Sequence, residues 1–414
     1  MIVIYSLLVV LLAMWIARYP RNSGILHPKK IFLFFYVVVH ISGFFVAALI
    51  NYIFDGYKYN NDQMMQALIL VTYGLFAFIF FYYILSGKWL NFISLPKINE
   101  KVFSALSPVY LIFGIAGLLI YIANTGFVLF QDGGYENKNL ANTGMGFARI
   151  LYGSGLSYGV AAFLIFRFNK ERFKKAVGLS IILGGIIFIA IGGGRSAAIN
   201  LFSIVIIIAI FYNKITNKKL ASLMICLFIL IILLTMFRYK ENFELLSMMY
   251  KIQGSFSPID SVATISESIP KSYPHQPQLF FNSLLTLIPR IFWPDKPLDI
   301  LVPSVYFTNV ILEYGSFLTI SPTLIGELYI YGGYFGITLG MALVALLVRF
   351  YSRIYKKSFN NGTMRLFFVM NALFPFSLMR EGVSIFLRDQ LLMLIIFMTV
   401  IISVKITSSL KISH

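Results

Sequence analysis

Apolar residues run along this chain in long blocks, with neither the stripes of an amphipathic soluble helix nor the alternation of a strand. Predominantly apolar runs of roughly 16–25 residues have the length that crosses a bilayer as helix. Eleven occur, at residues 2–19, 31–54, 65–85, 106–123, 147–166, 177–192, 197–212, 220–237, 322–348, 364–379 and 389–404. The expected fold is therefore an all-α polytopic membrane protein of about eleven transmembrane helices. Between the eighth and ninth runs lies 238–321, which has no crossing-length run and holds eight of the chain's 14 prolines. A segment this long without obvious elements is either functional or disordered. Phe280, Phe281, Leu284, Leu285, Phe292 and Trp293 give it apolar content that disordered chains lack, so it reads as an ordered extramembrane lid. The chain then divides into eight spans (1–237), the loop (238–321) and three final spans (322–414).

Composition agrees with the pattern. Charged residues make up 12% of the chain, about half the share usual in a soluble domain, and mean hydropathy is +0.82. The first run, with Arg18 and Arg21 behind it, reads as an ordinary span rather than a cleaved signal. The lone cysteine, Cys226, excludes disulfides within the chain and any cysteine metal cluster. A net charge of +18 would suggest nucleic acid in a soluble protein, but here it follows the topology. Most of the 34 basic residues lie in alternate connections, at 18–30, 88–101, 167–175, 214–219, 349–365 and the tail 405–411. The positive-inside rule makes that side cytoplasmic, so the long loop and the amino terminus are expected outside and the carboxyl terminus inside. The cytoplasmic connections are short and no Walker A pattern occurs, which argues against an ATP-driven pump. Chemistry is expected within the membrane or at its outer face.

Polar residues at that face are the candidates. Gly192-Gly193-Gly194-Arg195-Ser196 forms a tight outer turn after which a helix starts. The free N–H groups and dipole of that helix, together with Arg195, suit an anion such as phosphate. The alternative is a glycine hairpin with a snorkelling arginine. In Ile288-Pro289-Arg290-Ile291-Phe292-Trp293-Pro294-Asp295-Lys296-Pro297, three prolines fix the backbone around Arg290 and Lys296, and the aromatics suit the interface. Glu327, about five residues into the ninth run, is costly there unless paired or hydrated. It could orient an arginine, act as a general base toward a hydroxyl, or form a structural ion pair. Arg380-Glu381 and Arg388-Asp389 fill the last outer turn, where two further arginines could help hold a diphosphate or simply pair with the neighbouring acids. Arg149 is a weaker candidate at the outer start of the fifth run. Of four histidines only His275, between Pro274 and Pro277, lies on the outer side, as a possible base or as an exposed loop residue. No second histidine or cysteine stands near it and no Asp-x-Asp occurs, so neither metal nor cofactor is expected.

The layout resembles the O-antigen polymerase family, the Wzy-type oligosaccharide repeat-unit polymerases. The likeness rests on the span number, the large loop in the second half and the outer arginines. Locally it rests on Gly-Gly-Gly-Arg-Ser at 192–196, Pro-Arg-x-x-Trp-Pro-x-Lys-Pro at 289–297 and Gly-Glu-Leu-Tyr…Gly-Gly-Tyr-Phe-Gly at 326–336. The resemblance implies a GT-C-like fold and an inverting, metal-free glycosyl transfer at the outer face of a bacterial cytoplasmic (inner) membrane. The donor would be a growing glycan on a polyprenyl diphosphate, and the acceptor a lipid-linked repeat unit. The product would be a surface polysaccharide such as O-antigen, capsule or exopolysaccharide, and a chain-length regulator is a candidate partner. By motif, Arg195 and Arg290 would hold the diphosphate, with Arg380 carried by position alone. Glu327 or His275 would take the acceptor proton. The rival readings are an O-antigen ligase with the same donor, a flippase or exporter of the same lipids, and a scaffold. The unpaired loop and the crowding of polar residues at one face favour catalysis over transport.

Overall fold

A computed structural model describes residues 1–18, 24–54, 57–85, 95–131, 145–165, 168–192, 195–213, 244–288, 300–314 and 319–410, with a few isolated positions between. Every regular element among them is helical. Short turns such as Glu100–Ala105 aside, in chain order these are α1 (Ile2–Ala17), α2 (Pro28–Phe54), α3 (Asn61–Ile84), α4 (Ser107–Thr125), α5 (Gly146–Ile165), α6 (Lys170–Ala190) and α7 (Arg195–Phe211). There follow α8 (Leu245–Phe256), α9 (Ile259–Lys271), α10 (Gln278–Thr286), α11 (Thr323–Ser358), α12 (Gly362–Asn371) and α13 (Phe374–Leu410). Among the described residues seven helices are long and apolar enough to cross a membrane, with α1 and Ile199–Phe211 as shorter apolar helices. The protein is a polytopic helical membrane protein. The expected span at 220–237 lies outside the described residues save isolated positions.

The chain forms two compact units. The first comprises Met1–Ile93, Glu244–Arg353 and Leu373–Leu392. In it α1 buries only the stripe Ser6, Val9, Ala13 and Ile16, which leaves its remaining apolar surface for lipid. Helix α3 starts at a capping box between Asn60 and Gln63. At its other end Arg349 Nε donates to the Tyr82 carbonyl at 2.7 Å, one of the carbonyls a helix end leaves open. Helix α2 has Pro28 in its first turn and His27 as cap, and widens to a π-helical segment at Val37–Ile41. The cause is an inserted hydroxyl. Ser257, in the α8–α9 turn, donates to the Val39 carbonyl at 2.6 Å and accepts from the Gly43 amide at 2.9 Å. It thus occupies the place of one helical hydrogen bond. Gly43 lets it in, since a Cβ there would lie 2.7 Å from both Ser257 O and Oγ.

The stretch expected as a lid holds three helices, α8–α10, and a helical turn from Pro303 through a π-helical Tyr306–Ile311. Helix α9 buries Ile259, Val262, Ala263, Ile265 and Ile269, a helical spacing, and packs along α3. Tyr59 hydrogen-bonds Thr264 at 2.7 Å, and Tyr57 donates to Asp260 at 2.5 Å. Burial pushes the Asp260 carboxyl up from its ordinary value, against the pull of the hydrogen bonds from Tyr57 and Gln253. The Tyr57 phenol is likewise pushed up, by burial first and the Asp260 charge second.

Two of the long helices are hairpins, one inside an expected span and one where an outer turn was expected. Helix α11 breaks at Gly332 and Gly333, the latter at φ +60°. Gly336 and Gly340, beyond the break, pack directly against Leu328 before it. The chain therefore reverses there, and 323–331 is a short arm lying against 334–358. Helix α13 breaks at Gly382, φ +84°. Phe374 and Phe386 bring their rings to 6.2 Å across that break, while Tyr351 stacks on Phe374 at 4.1 Å and donates to Gln390 at 2.8 Å. This too is a reversal, made by one glycine where an outer turn over 380–389 was expected. The expected tenth span, 364–379, is divided between α12 and the first arm of α13.

The second unit comprises Ser94–Phe243, Ile354–Ala372 and Met393–His414. Its centre is the close pair α4–α5, in which Gly155 meets the Gly114 backbone and Gly159 meets Leu111, the small-residue contact typical of membrane helices. Asn169 caps α6 through the Arg172 amide at 2.8 Å, and α6 ends in a turn with Gly192 at φ +65° before α7.

Candidate functional site

The two glycine reversals of the first unit each hold one of the candidate residues' partners. Glu327, in the short arm 323–331, is fully buried. Its Oε1 accepts from the Tyr331 hydroxyl one turn along and from the Ser384 amide at 3.0 Å. Its Oε2 lies against Gly382, where any Cβ would overlap it. The arginine pairing weighed from sequence does not occur among the described residues. A main-chain amide and a phenol take its place.

The break at Gly332–Gly333 releases carbonyls that an unbroken helix would bond to residues 333 and 334. His275 Nδ1 is 3.0 Å from the Tyr329 carbonyl, and the Gln276 amide donates to the Ile330 carbonyl at 2.8 Å. A carbonyl only accepts, so in the neutral ring Nδ1 carries the proton and Nε2 keeps its lone pair. Gly333 leaves Nε2 uncovered, since a Cβ there would lie 3.0 Å from it. His275 is exposed, and its ring stands edge-on to Tyr329 at 5.5 Å. Just beyond it, Phe280 of α10 meets the Tyr331 ring at 5.7 Å. The loop segment carrying His275 is thus tied to the hairpin that carries Glu327.

Arg380 ends the first arm of α13. Its Nε donates to the Ser255 carbonyl at 3.3 Å and its Nη2 to the Gly254 carbonyl at 3.1 Å. The guanidinium therefore sits at the negative end of α8. The Arg380 carbonyl accepts from Ser321 Oγ at 2.9 Å, and the Ser321 carbonyl accepts from Ser261 of α9 at 3.1 Å. Arg388 instead faces outward, with Nε 3.4 Å from the Asp389 carboxylate. The structure brings Glu327, His275 and Arg380 onto one framework of broken helices and leaves Arg388 at its exposed edge.

The remaining candidates stand elsewhere. Arg149 lies exposed in the first turn of α5, beside Tyr152. Arg195 is the first residue of α7, in line with the expected helix start after the glycine turn. Both belong to the second unit. Arg290 and Lys296 lie outside the described residues.

Over residues 1–412 the chain matches the family model described as WzyE protein, O-antigen assembly polymerase. The chain belongs to the WzyE family. Its general role is thereby that of a polymerase in O-antigen assembly, embedded in a membrane and acting on lipid-linked oligosaccharide units. No solved structure matches the chain. Within this WzyE-family chain, Gly332 and Gly333 entered the sequence reading only as part of the motif at 326–336, and Tyr331, Ser384 and Gly382 were given no role in it. The paired glycines in mid-run were the available signal; a backbone amide such as that of Ser384 gives none.

Proposed function

We propose that the protein lengthens a surface polysaccharide by inverting, metal-independent glycosyl transfer at the outer face of the cytoplasmic membrane. The observation that carries this reading is the His275 geometry, a tautomer set by the Tyr329 carbonyl with Nε2 open beside Gly333. The acceptor is the terminal sugar hydroxyl of one lipid-linked repeat unit, and the donor is the glycan on a polyprenyl diphosphate. The hydroxyl oxygen attacks the anomeric carbon and its proton passes to His275 Nε2. The bond from that carbon to the diphosphate breaks, and its electron pair leaves with the phosphate. General-base help of this kind contributes about 10²–10⁴ in rate. Arg380, held by two carbonyls, meets the developing negative charge, and fixed donors of this sort are worth roughly 3 kcal/mol each. The family resemblance assigns Arg195 and Arg290 to the diphosphate as well. In this reading the loop 238–321 lies outside and the carboxyl terminus in the cytoplasm, which the basic connections support.

The test is a gel profile of surface polysaccharide and its lipid-linked precursors from a strain lacking the gene, complemented with wild type or His275→Ala. Material stopping at one repeat unit in both the deletion and the variant supports the reading. Long chains retained on the lipid carrier would make the protein a ligase. Repeat units trapped on the cytoplasmic side would make it a flippase.

A further inference from the structure

We propose that Glu327 is the positioning residue of this site rather than its proton acceptor: its carboxylate caps the helical arm 383–410 and locks the turn beside Arg380. The inference rests on the transfer reading above. The Gly382 reversal starts a new helical arm whose first amides have no partner one turn earlier. A carboxylate at that point is favoured both as an acceptor and by the positive end of the helix. Glu327 Oε1 takes the Ser384 amide at 3.0 Å, and only glycine at 382 gives Oε2 its place. Arg380 is two residues before that glycine. The cap therefore holds the turn from which the guanidinium reaches the α8 carbonyls.

The same carboxylate works in the other direction. Tyr331, which donates to Oε1, meets Phe280, and Phe280 follows His275 on the loop that seals the Gly332–Gly333 reversal. One buried acid thus ties the elements that carry the base and the cation. It is poorly placed to be the base itself. Oε1 already accepts twice, Oε2 faces main chain, and the residue has no exposed surface through which a sugar hydroxyl could reach it. His275 has that access.

The experiment uses the full chain in nanodiscs with the lipid-linked repeat unit as substrate, and compares Glu327→Gln, Glu327→Ala and His275→Ala. Glutamine keeps an oxygen for the Ser384 amide but cannot serve as a carboxylate base. The expected result is that Glu327→Gln retains kcat within about tenfold, with an unaltered pH profile. Glu327→Ala should raise KM for the diphosphate donor and lower kcat together by on the order of 10²-fold. Hydrogen exchange of amides 383–386 should quicken at least tenfold in Glu327→Ala, with 334–350 unchanged. A Glu327→Gln protein that exchanges like wild type but is as inactive as His275→Ala would overturn the proposal and make Glu327 the base. Unchanged exchange at 383–386 in Glu327→Ala would overturn it as well. Full activity of His275→Ala, by contrast, would remove the general-base reading and leave the cap standing on its exchange result.

Discussion

Ser257→Ala is the sharpest test of how the loop is fastened to the spans. The hydroxyl is buried and serves two backbone groups of α2, the Val39 carbonyl and the Gly43 amide. If the helix kept its widened form, removing it would strand both, at about 1–3 kcal/mol each. The helix could instead close the bond between them and expel one residue from the π-helical turn. That would rotate Pro28–Tyr36 by about 100° relative to the rest of α2. The rotation would cost the Tyr36 hydrogen bond to the Val71 carbonyl, at 2.6 Å, and the stack of Phe32 on Phe78, at 4.0 Å. A buried hydrogen bond and an aromatic pair together are worth about 1–3 kcal/mol, so neither route is free. The cheaper route sets the expected loss, about 1–3 kcal/mol of loop docking. The assay is hydrogen exchange and limited proteolysis of the full chain in nanodiscs, reading 37–43 and 245–271 against α4–α5 as internal control. Faster exchange confined to the first two segments is the expected result. Wild-type protection in both would refute the account of Ser257 as the wedge that widens α2. Gly43→Ala should produce the same signature, since its Cβ would lie 2.7 Å from the Ser257 oxygens. The two changes should be less than additive because they break one contact.

The other expectations concern turnover. His275→Gln should lower kcat by about 10²–10⁴ with little change in membrane level, and wild-type polymer length on a surface-polysaccharide gel would refute the base assignment. Arg380→Ala should cost about 10²–10³ in kcat/KM. Arg380→Lys should recover little, because an ammonium cannot reproduce the planar fork toward Gly254 and Ser255; single-turnover assays with purified donor would read both. Arg195→Ala and Arg290→Ala should each abolish polymer at normal protein level, and normal polymer in both would sink the diphosphate clamp.

Much of the membrane architecture was legible because a helix crossing lipid must be apolar for about 20 residues, and α2–α5 follow the runs to within a few residues, while α6 begins earlier, in the basic stretch from Lys170. The hairpins were not. Hydropathy averages over a reversal whose two arms are both apolar, so 322–348 read as one span although Gly332 and Gly333 turn the chain back inside it. The reversal at Gly382 was half visible, since Arg380 to Asp389 signalled a turn by charge but not one made by a single residue. In the loop, the proline count hid the helical spacing of Ile259, Val262, Ile265 and Ile269. Those four positions were the signal for α9. Glu327 was legible as an anomaly, as any carboxylate in an apolar run is. Its partners were not, because the Ser384 amide belongs to a backbone whose direction only the Gly382 reversal decides.

The short arm 323–331 also bears on how the chain enters the bilayer. Nine residues of helix reach about 13 Å, less than half of a hydrocarbon core about 30 Å thick. An arm that short gives the insertion machinery no stop signal of its own. It reaches its place only after 334–358 has been synthesised and laid beside it. A reporter protein fused just after Tyr331 would therefore be scored on whichever side the unfinished chain happened to leave it, and a topology map built from such truncations would be wrong at this point. The dependable map comes from intact chains in which Cys226 is replaced and single cysteines are labelled, where the arm has already found its partner.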